Sequence, residues 1–154
     1  MAYDINIAEA RPRPLAAVWA NAKISNIGLV VRPALDKVYE RFGGFSNEKM
    51  GQNVIFYPDG AGLMSPQGAN VAFGVEMKIP FEDQGDVVHA ETPAGRVVHV
   101  VHPGSYDKLG LAHQALHQFC AANGHKITGA NWEVYGDMYD DPQMVRTDIY
   151  YQLA

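Results

Sequence analysis

The clearest hydrophobic rhythm in the chain runs from Asn70 to Ile79, where Val71, Phe73, Val75, Met77 and Ile79 alternate without a break. A period of two marks a strand, so this segment predicts a half-buried strand. Ile5 and Ile7 alternate with polar neighbours between Tyr3 and Ala10, and Leu15 to Ala20 is a second extended run beyond Pro12 and Pro14. Leu35, Val38, Tyr39 and Phe42 then fall on one helical stripe, preceded by the capping residues Ser25 and Asn26 and stopped by Gly43-Gly44. Pro33 removes an internal hydrogen bond, so the regular helix is expected from about Arg32, after an irregular turn. Asn53 to Tyr57 reads as a strand. Asp86 to Glu91 and Arg96 to His102 read as a hairpin around Thr92-Pro93-Ala94-Gly95. Leu109, Ala112, Leu116, Phe119 and Cys120 define a second helix, about Asp107 to Asn123, closed by Gly124. Asn131–Tyr135 and Arg146–Leu153 complete the strands, with a turn at Asp140-Asp141-Pro142.

The order strand, helix, strand, strand thus occurs twice, and short matches support a duplication. Gly28-Leu29 corresponds to Gly110-Leu111 at a separation of 82 residues, and Ala34-Leu35 to Ala115-Leu116 at 81. Asn53–Tyr57 corresponds to Asn131–Tyr135 at 78, and Val75 to Ile149 at 74. The expected fold is α+β: residues 1–154 as one domain of two modules, about 1–80 and 81–154, sharing one curved antiparallel sheet. Both helices should cover one face, leaving a cleft on the other.

Composition narrows the classes. Twelve Lys and Arg against 17 Asp and Glu give a net charge of −5, which opposes a phosphate backbone as the main partner. No segment is apolar for the 18 residues that a membrane helix needs, and the charged N-terminus does not resemble a signal peptide, so a cytoplasmic location is expected. The single cysteine, Cys120, excludes an internal disulfide and sits on the apolar helix stripe as a structural thiol.

The chemistry concentrates on one strand. Where the first module has Ile55, the second has Glu133, which shares a strand face with Tyr135. A carboxylate in a central strand must be solvated, paired or aimed into a cavity; periodicity alone favours a solvated residue. Trp19, Phe73, Tyr106, Tyr135 and Tyr151 could wall a cleft for flat or cationic ligands, with core packing the equal alternative for Phe73 and Tyr151. His113 and His117 are spaced for a metal, but no third ligand is near in sequence and both fall outside the apolar stripe, so they read as solvated. His99 and His102 lie on opposite strand faces, and His102 is placed to hydrogen-bond in the turn before the second helix. The acidic Asp137, Asp140 and Asp141 lack calcium-loop spacing. No metal or cofactor is expected.

From Val97 to Gly110, through the helix to Gly124, then Asn131-Trp-Glu133-Val-Tyr135 and Thr147–Leu153, the chain resembles the gyrase-inhibitor-like (GyrI-like) effector-binding domain, also found behind DNA-binding helices in multidrug regulators. The resemblance implies a concave aromatic cleft with a buried glutamate at Glu133, Tyr135 next to it and Tyr106 in a Gly-Ser-Tyr turn where the family has Gly-Pro-Tyr. Trp19, Phe73, Tyr151 and His102 complete the expected ligand-binding set. A stand-alone protein binding lipophilic or cationic aromatic molecules is the reading this supports. The alternative is a hydrolase of cyclopropane-containing alkylating toxins, using Glu133 with Tyr135 or Tyr106. A regulatory partner role, related to transcription or gyrase, comes third, and a haem-binding branch of the fold is weaker still. Met1 begins at the domain, so no helix-turn-helix is expected upstream and no direct nucleic-acid or membrane binding; a homodimer stays open.

Overall fold

The computed structural model describes residues 3–44, 48–137 and 141–154. Its strands are β1 (Ile5–Ala10), β2 (Pro14–Ala22), β3 (Met50–Tyr57), β4 (Ala69–Met77), β5 (Val88–Glu91), β6 (Gly95–Pro103), β7 (Ile127–Tyr135) and β8 (Arg146–Leu153). Helix α1 (Ile27–Arg41) lies between β2 and β3, and α2 (Leu109–Ala122) between β6 and β7. Asp140 of the turn expected near Pro142 lies outside the described residues.

All eight strands form one antiparallel sheet in the order β1-β6-β8-β7-β3-β4-β2-β5. The order is symmetric about its centre: β3 answers β7, β4 answers β8, β2 answers β6 and β5 answers β1. The middle pairing sets Ile55 opposite Glu133, so an approximate two-fold axis passes between those two residues. Phe73 pairs with Ile55 and Ile149 with Glu133, which places Phe73, not Val75, in the position of Ile149. The buried helix positions Ala34 and Val38 answer Leu116 and Cys120, a separation of 82 that continues through the helix in place of 81.

Two expected elements differ. Residues 86–91 and 96–102 do not form a hairpin: β5 pairs with β2 at one edge of the sheet, while β6 lies between β1 and β8 near the other. Thr92 to Ala94 crosses between the halves, held by the Arg13 amide donating to Thr92 Oγ1 at 2.9 Å and the Thr92 amide to the Arg13 carbonyl at 3.3 Å. Pro93 cannot donate to a ladder, which suits a crossing segment better than a hairpin flank. Second, α1 begins at Ile27 and runs through Pro33. Pro33 and Leu29, whose carbonyl loses its partner, are both exposed, so water can take the freed bond.

Both helices cover the same face. Ala34 and Val38 of α1 pack on Val71, Phe73 and Val75. Ala112, Leu116 and Cys120 of α2 pack on Val98, Val100, Ile149 and Tyr151. The opposite face carries a third core, from Leu15, Ala17, Val54, Phe56, Ala72, Val97, Trp132 and Val134, with Ala8, Ala10 and Ala90 packed against it. The interior strand β4 is therefore buried on both faces, where alternation had suggested one. Gly74 permits this, since a Cβ there would meet the Ala16 carbonyl at 2.9 Å.

Candidate functional site

Glu133 belongs to the helix-covered face. Its cross-strand neighbours Ile55 and Ile149 are buried in the cores beneath α1 and α2 respectively, so the carboxylate sits at the seam between them. It is 5% exposed, not solvated. Two statements made from sequence are thereby corrected: strand periodicity could not distinguish a wet face from a helix-covered one, and the glutamate does not lie on the face away from the helices. That far face carries the Trp132–Val54–Leu15 core and a separate cavity beside Trp132 that Glu133 does not face.

Three donors hold the carboxylate. Tyr57 and Tyr135 donate their hydroxyls to Oε1 at 2.9 and 2.6 Å. His113 Nε2 donates to Oε2 at 2.7 Å. The two tyrosines occupy matched positions on β3 and β7 and reach the same oxygen from either side of the two-fold axis. His113 continues outward: its Nδ1 is 2.7 Å from the Tyr151 hydroxyl, which is 3.2 Å from Nε2 of His117. Tyr106, from the 3₁₀ turn before α2, stands edge-on to Tyr135 with ring centres 5.4 Å apart and is partly open to solvent.

Burial by itself pushes a carboxyl up, but here the His113 hydrogen bond and charge and the two tyrosine hydroxyls outweigh it, leaving Glu133 below its ordinary value. The tyrosines move the other way. Burial, and then the Glu133 charge, raise Tyr57 and Tyr135 well above a normal phenol, and Tyr151 is raised by the same two causes. Around neutral pH the arrangement is one buried anion ringed by phenol groups that stay protonated.

Of the residues singled out from sequence, Tyr135 bonds Glu133 directly, Tyr151 joins it through His113, and Tyr106 stands against Tyr135. Phe73 is fully buried in the core under α1. Trp19 lies on the far face, edge-on to Phe56 at 6.3 Å. His102 is buried elsewhere: Nε2 donates to the Ser105 carbonyl at 2.9 Å, which leaves Nδ1 to accept from the Tyr3 hydroxyl at 3.0 Å. Its predicted place in the turn holds, but it does not face the glutamate. Sequence reasoning missed His113 and Tyr57, and treating both helix histidines as solvated was wrong for His113. The match between Tyr57 and Tyr135 was the available signal for one. For the other it was the position of His113 beside Ala112, on the shoulder of the buried stripe.

Two cavities lie away from this cluster. One of about 390 Å³, on the far face, is lined by Arg13, Glu76, His99, Trp132 and Tyr150. Of its lining residues, Arg13 pairs with Glu76 at 3.3 Å and His99 Nε2 lies 2.9 Å from Asp148, while the exposed Glu9 and Arg11 line its rim. The other, about 520 Å³, lies between α1 and the outer edge of β2. Among the described residues no three or more His, Cys, Asp or Glu converge to hold a metal, and no helix is long and apolar enough to cross a membrane.

The sequence matches the GyrI-like small molecule binding domain over residues 4–154. Comparison with curated protein sequences finds no significant match. The fold is similar to the C-terminal domain of EcmrR, with 20% identity and a TM-score of 0.77 over 100% of this chain and 99% of that one. In the EcmrR–DNA complex the matching region is 57% of the EcmrR chain. It is also similar to SAV2435 bound to tetraphenylphosphonium, at 10% identity and a TM-score of 0.70, covering 100% of this chain and 94% of that one. A hydrolase from Listeria innocua shares 13% identity and a TM-score of 0.61, over 97% and 91% of the two chains. At these identities the likeness is one of fold.

Proposed function

The chain belongs to the family of GyrI-like small-molecule-binding domains, and from that premise we propose that it binds lipophilic aromatic cations at Glu133. The observation that carries this reading is the buried carboxylate itself. It is held ionised by three hydrogen bonds, its basic neighbour is an imidazole and not a Lys or Arg, and Tyr57 and Tyr135 flank it, with Tyr151 beyond His113 and Tyr106 against Tyr135. A delocalised cation beside such a group offsets the cost of keeping an anion out of water, and the rings add cation–π attraction. Tetraphenylphosphonium, bound by the structurally similar SAV2435, is a cation of this kind.

The hydrolase alternative asks Glu133 to take a proton from water and a tyrosine to give one. A carboxylate held below its ordinary range is a weak base near neutral pH, and tyrosines raised well above theirs are weak acids. Both shifts favour binding over proton-transfer catalysis. DNA contact is not part of this reading, because the net charge of −5 opposes it.

Calorimetric titration of tetraphenylphosphonium into the wild type and Glu133→Gln tests the proposal. Losing a desolvated charge interaction worth about 1.5–3 kcal/mol should weaken affinity by roughly 10- to 150-fold. Unchanged affinity of Glu133→Gln for every aromatic cation tried would overturn it. Product formation from a cyclopropane-bearing alkylator above that of Glu133→Ala, followed by mass spectrometry, would establish the hydrolase instead.

A further inference from the structure

The hydrogen bonds at Glu133 do not stop at its first partners. From the carboxylate they run through the His113 ring to Tyr151, on β8, and on to His117, one helical turn further along α2 and exposed. The groups facing His113 are Glu133 and Tyr135 from β7, Tyr57 from β3, Tyr151 from β8, and His117 on its own helix; Tyr106 stands beside Tyr135, and the buried Cys120 thiol lies near Tyr151. Glu133 is the anion of that set, and the chain of donors ends at solvent.

We infer that an incoming cation exchanges for a proton carried by His113, which leaves through Tyr151 and His117. This rests on the reading that Glu133 binds cations. With His113 protonated, Nε2 donates to Glu133 and Nδ1 donates to the Tyr151 oxygen. The Tyr151 hydroxyl then donates to Nε2 of a neutral His117, whose proton is on Nδ1. On exchange, the His113 Nδ1 proton passes to the Tyr151 oxygen, the Tyr151 proton passes to His117 Nε2, and the His117 Nδ1 proton goes to water. One proton leaves, every hydrogen bond is kept, and those at Tyr151 reverse direction. The His113 Nε2–Glu133 bond is never broken, so the anion stays in place while its counter-charge is traded. Burial, and then His113, hold His117 below its ordinary value, so it returns to neutral after each transfer. Tyr151 is raised and acts as a neutral relay.

Titrating tetraphenylphosphonium from pH 5 to 8, the range where imidazoles ordinarily change charge, in buffers of different ionisation enthalpy counts the protons released. The wild type should release about one proton per cation at the acid end and none at the alkaline end, with affinity rising about tenfold per pH unit where release is complete. His113→Gln, which keeps an N–H for Glu133, should bind with no release at any pH. Tyr151→Phe should keep the stoichiometry but slow the release seen by stopped flow with a pH indicator. Cation binding by the wild type with no proton release would overturn the exchange while leaving the binding reading intact, and needs no variant to fold. Full release by His113→Gln would also overturn the exchange, and release from Tyr151→Phe at the wild-type rate would overturn the route. Failure of the wild type to bind any aromatic cation would remove both.

Discussion

Replacing Tyr57 by Phe removes one oxygen and nothing else from the centre of the molecule. Tyr57 is 8% exposed, and its hydroxyl gives one of the two hydrogen bonds to Oε1 of Glu133. A hydrogen bond to a charged group contributes about 1.5–3 kcal/mol. Tyr135 remains on the same oxygen at 2.6 Å, so the lower part of that range applies, about 1.5–2 kcal/mol at pH 7. The pH dependence has a fixed sign. Glu133 is lowered in the folded state, so its contribution is full above its unfolded value, about 4.3, and is lost as pH falls through the folded one. Tyr57→Phe therefore costs most above about pH 4. Below that it costs less, because a protonated carboxyl accepts only a neutral-strength bond of about 0.5–1.5 kcal/mol. Urea unfolding of both proteins from pH 7 down to about pH 2.5 measures the difference directly. A gap constant across that range, or under about 0.5 kcal/mol at pH 7, would refute the claim that Tyr57 stabilises an ionised Glu133.

Two further changes test how the helices are built. Pro33→Ala should raise stability by about 2 kcal/mol, since Pro is about 3 kcal/mol worse than Ala inside a helix and returns about 0.4–1 by restricting the unfolded chain. An unfolding midpoint equal to or below the wild type's would show that an amide at position 33 does not pair with the Leu29 carbonyl. Leu116→Ala, at a position 1% exposed under α2, should cost about 2–5 kcal/mol in the same assay. A cost below about 1 kcal/mol would contradict the packing of α2 on the sheet.

Local pattern carried the elements: a period of two marked β4, and a 3.6-residue stripe marked α2. What it could not carry was any relation decided by the curl of the sheet. The β5–β6 pairing failed because Thr92 to Ala94 spans the two halves, and hairpin rules see only sequence distance. Glu133 was identified as unusual because Ile55 stands in its matched position, yet its burial depended on which face the helices cover. His113 was lost for a related reason. It follows Ala112 on the shoulder of the stripe, and whether a shoulder meets water or a neighbouring strand is set by how the helix sits on the sheet, not by its own sequence. Trp19 and His102 were chosen by residue type, and type does not reveal that one lies on the far face and the other closes a turn.

The two-fold relation also shows what lets a buried charge be tolerated. In the first module Val31, Ile55 and Val75 fill the positions that His113, Glu133 and Tyr151 fill in the second, so an apolar trio is answered by a hydrogen-bonded one. Each polar member is costly without the others. Glu133→Ile alone removes the acceptor of His113, Tyr57 and Tyr135. It should cost about 3 kcal/mol, the lower end for breaking a buried pair, because the His113 side chain retains 23% of its exposure. His113→Val alone leaves the carboxylate with only its two tyrosine donors and should cost as much or more, since Glu133 is the more deeply buried partner. The pair of changes together installs two of the three apolar residues of the first module, with Tyr151 kept, and leaves no buried charge, so its cost should fall below the sum by about 1.5–3 kcal/mol. Urea unfolding of the four proteins gives that coupling as a double-mutant cycle. Costs that add to within about 0.5 kcal/mol would mean that His113 and Glu133 do not support one another, and that the polar trio does not act as one unit.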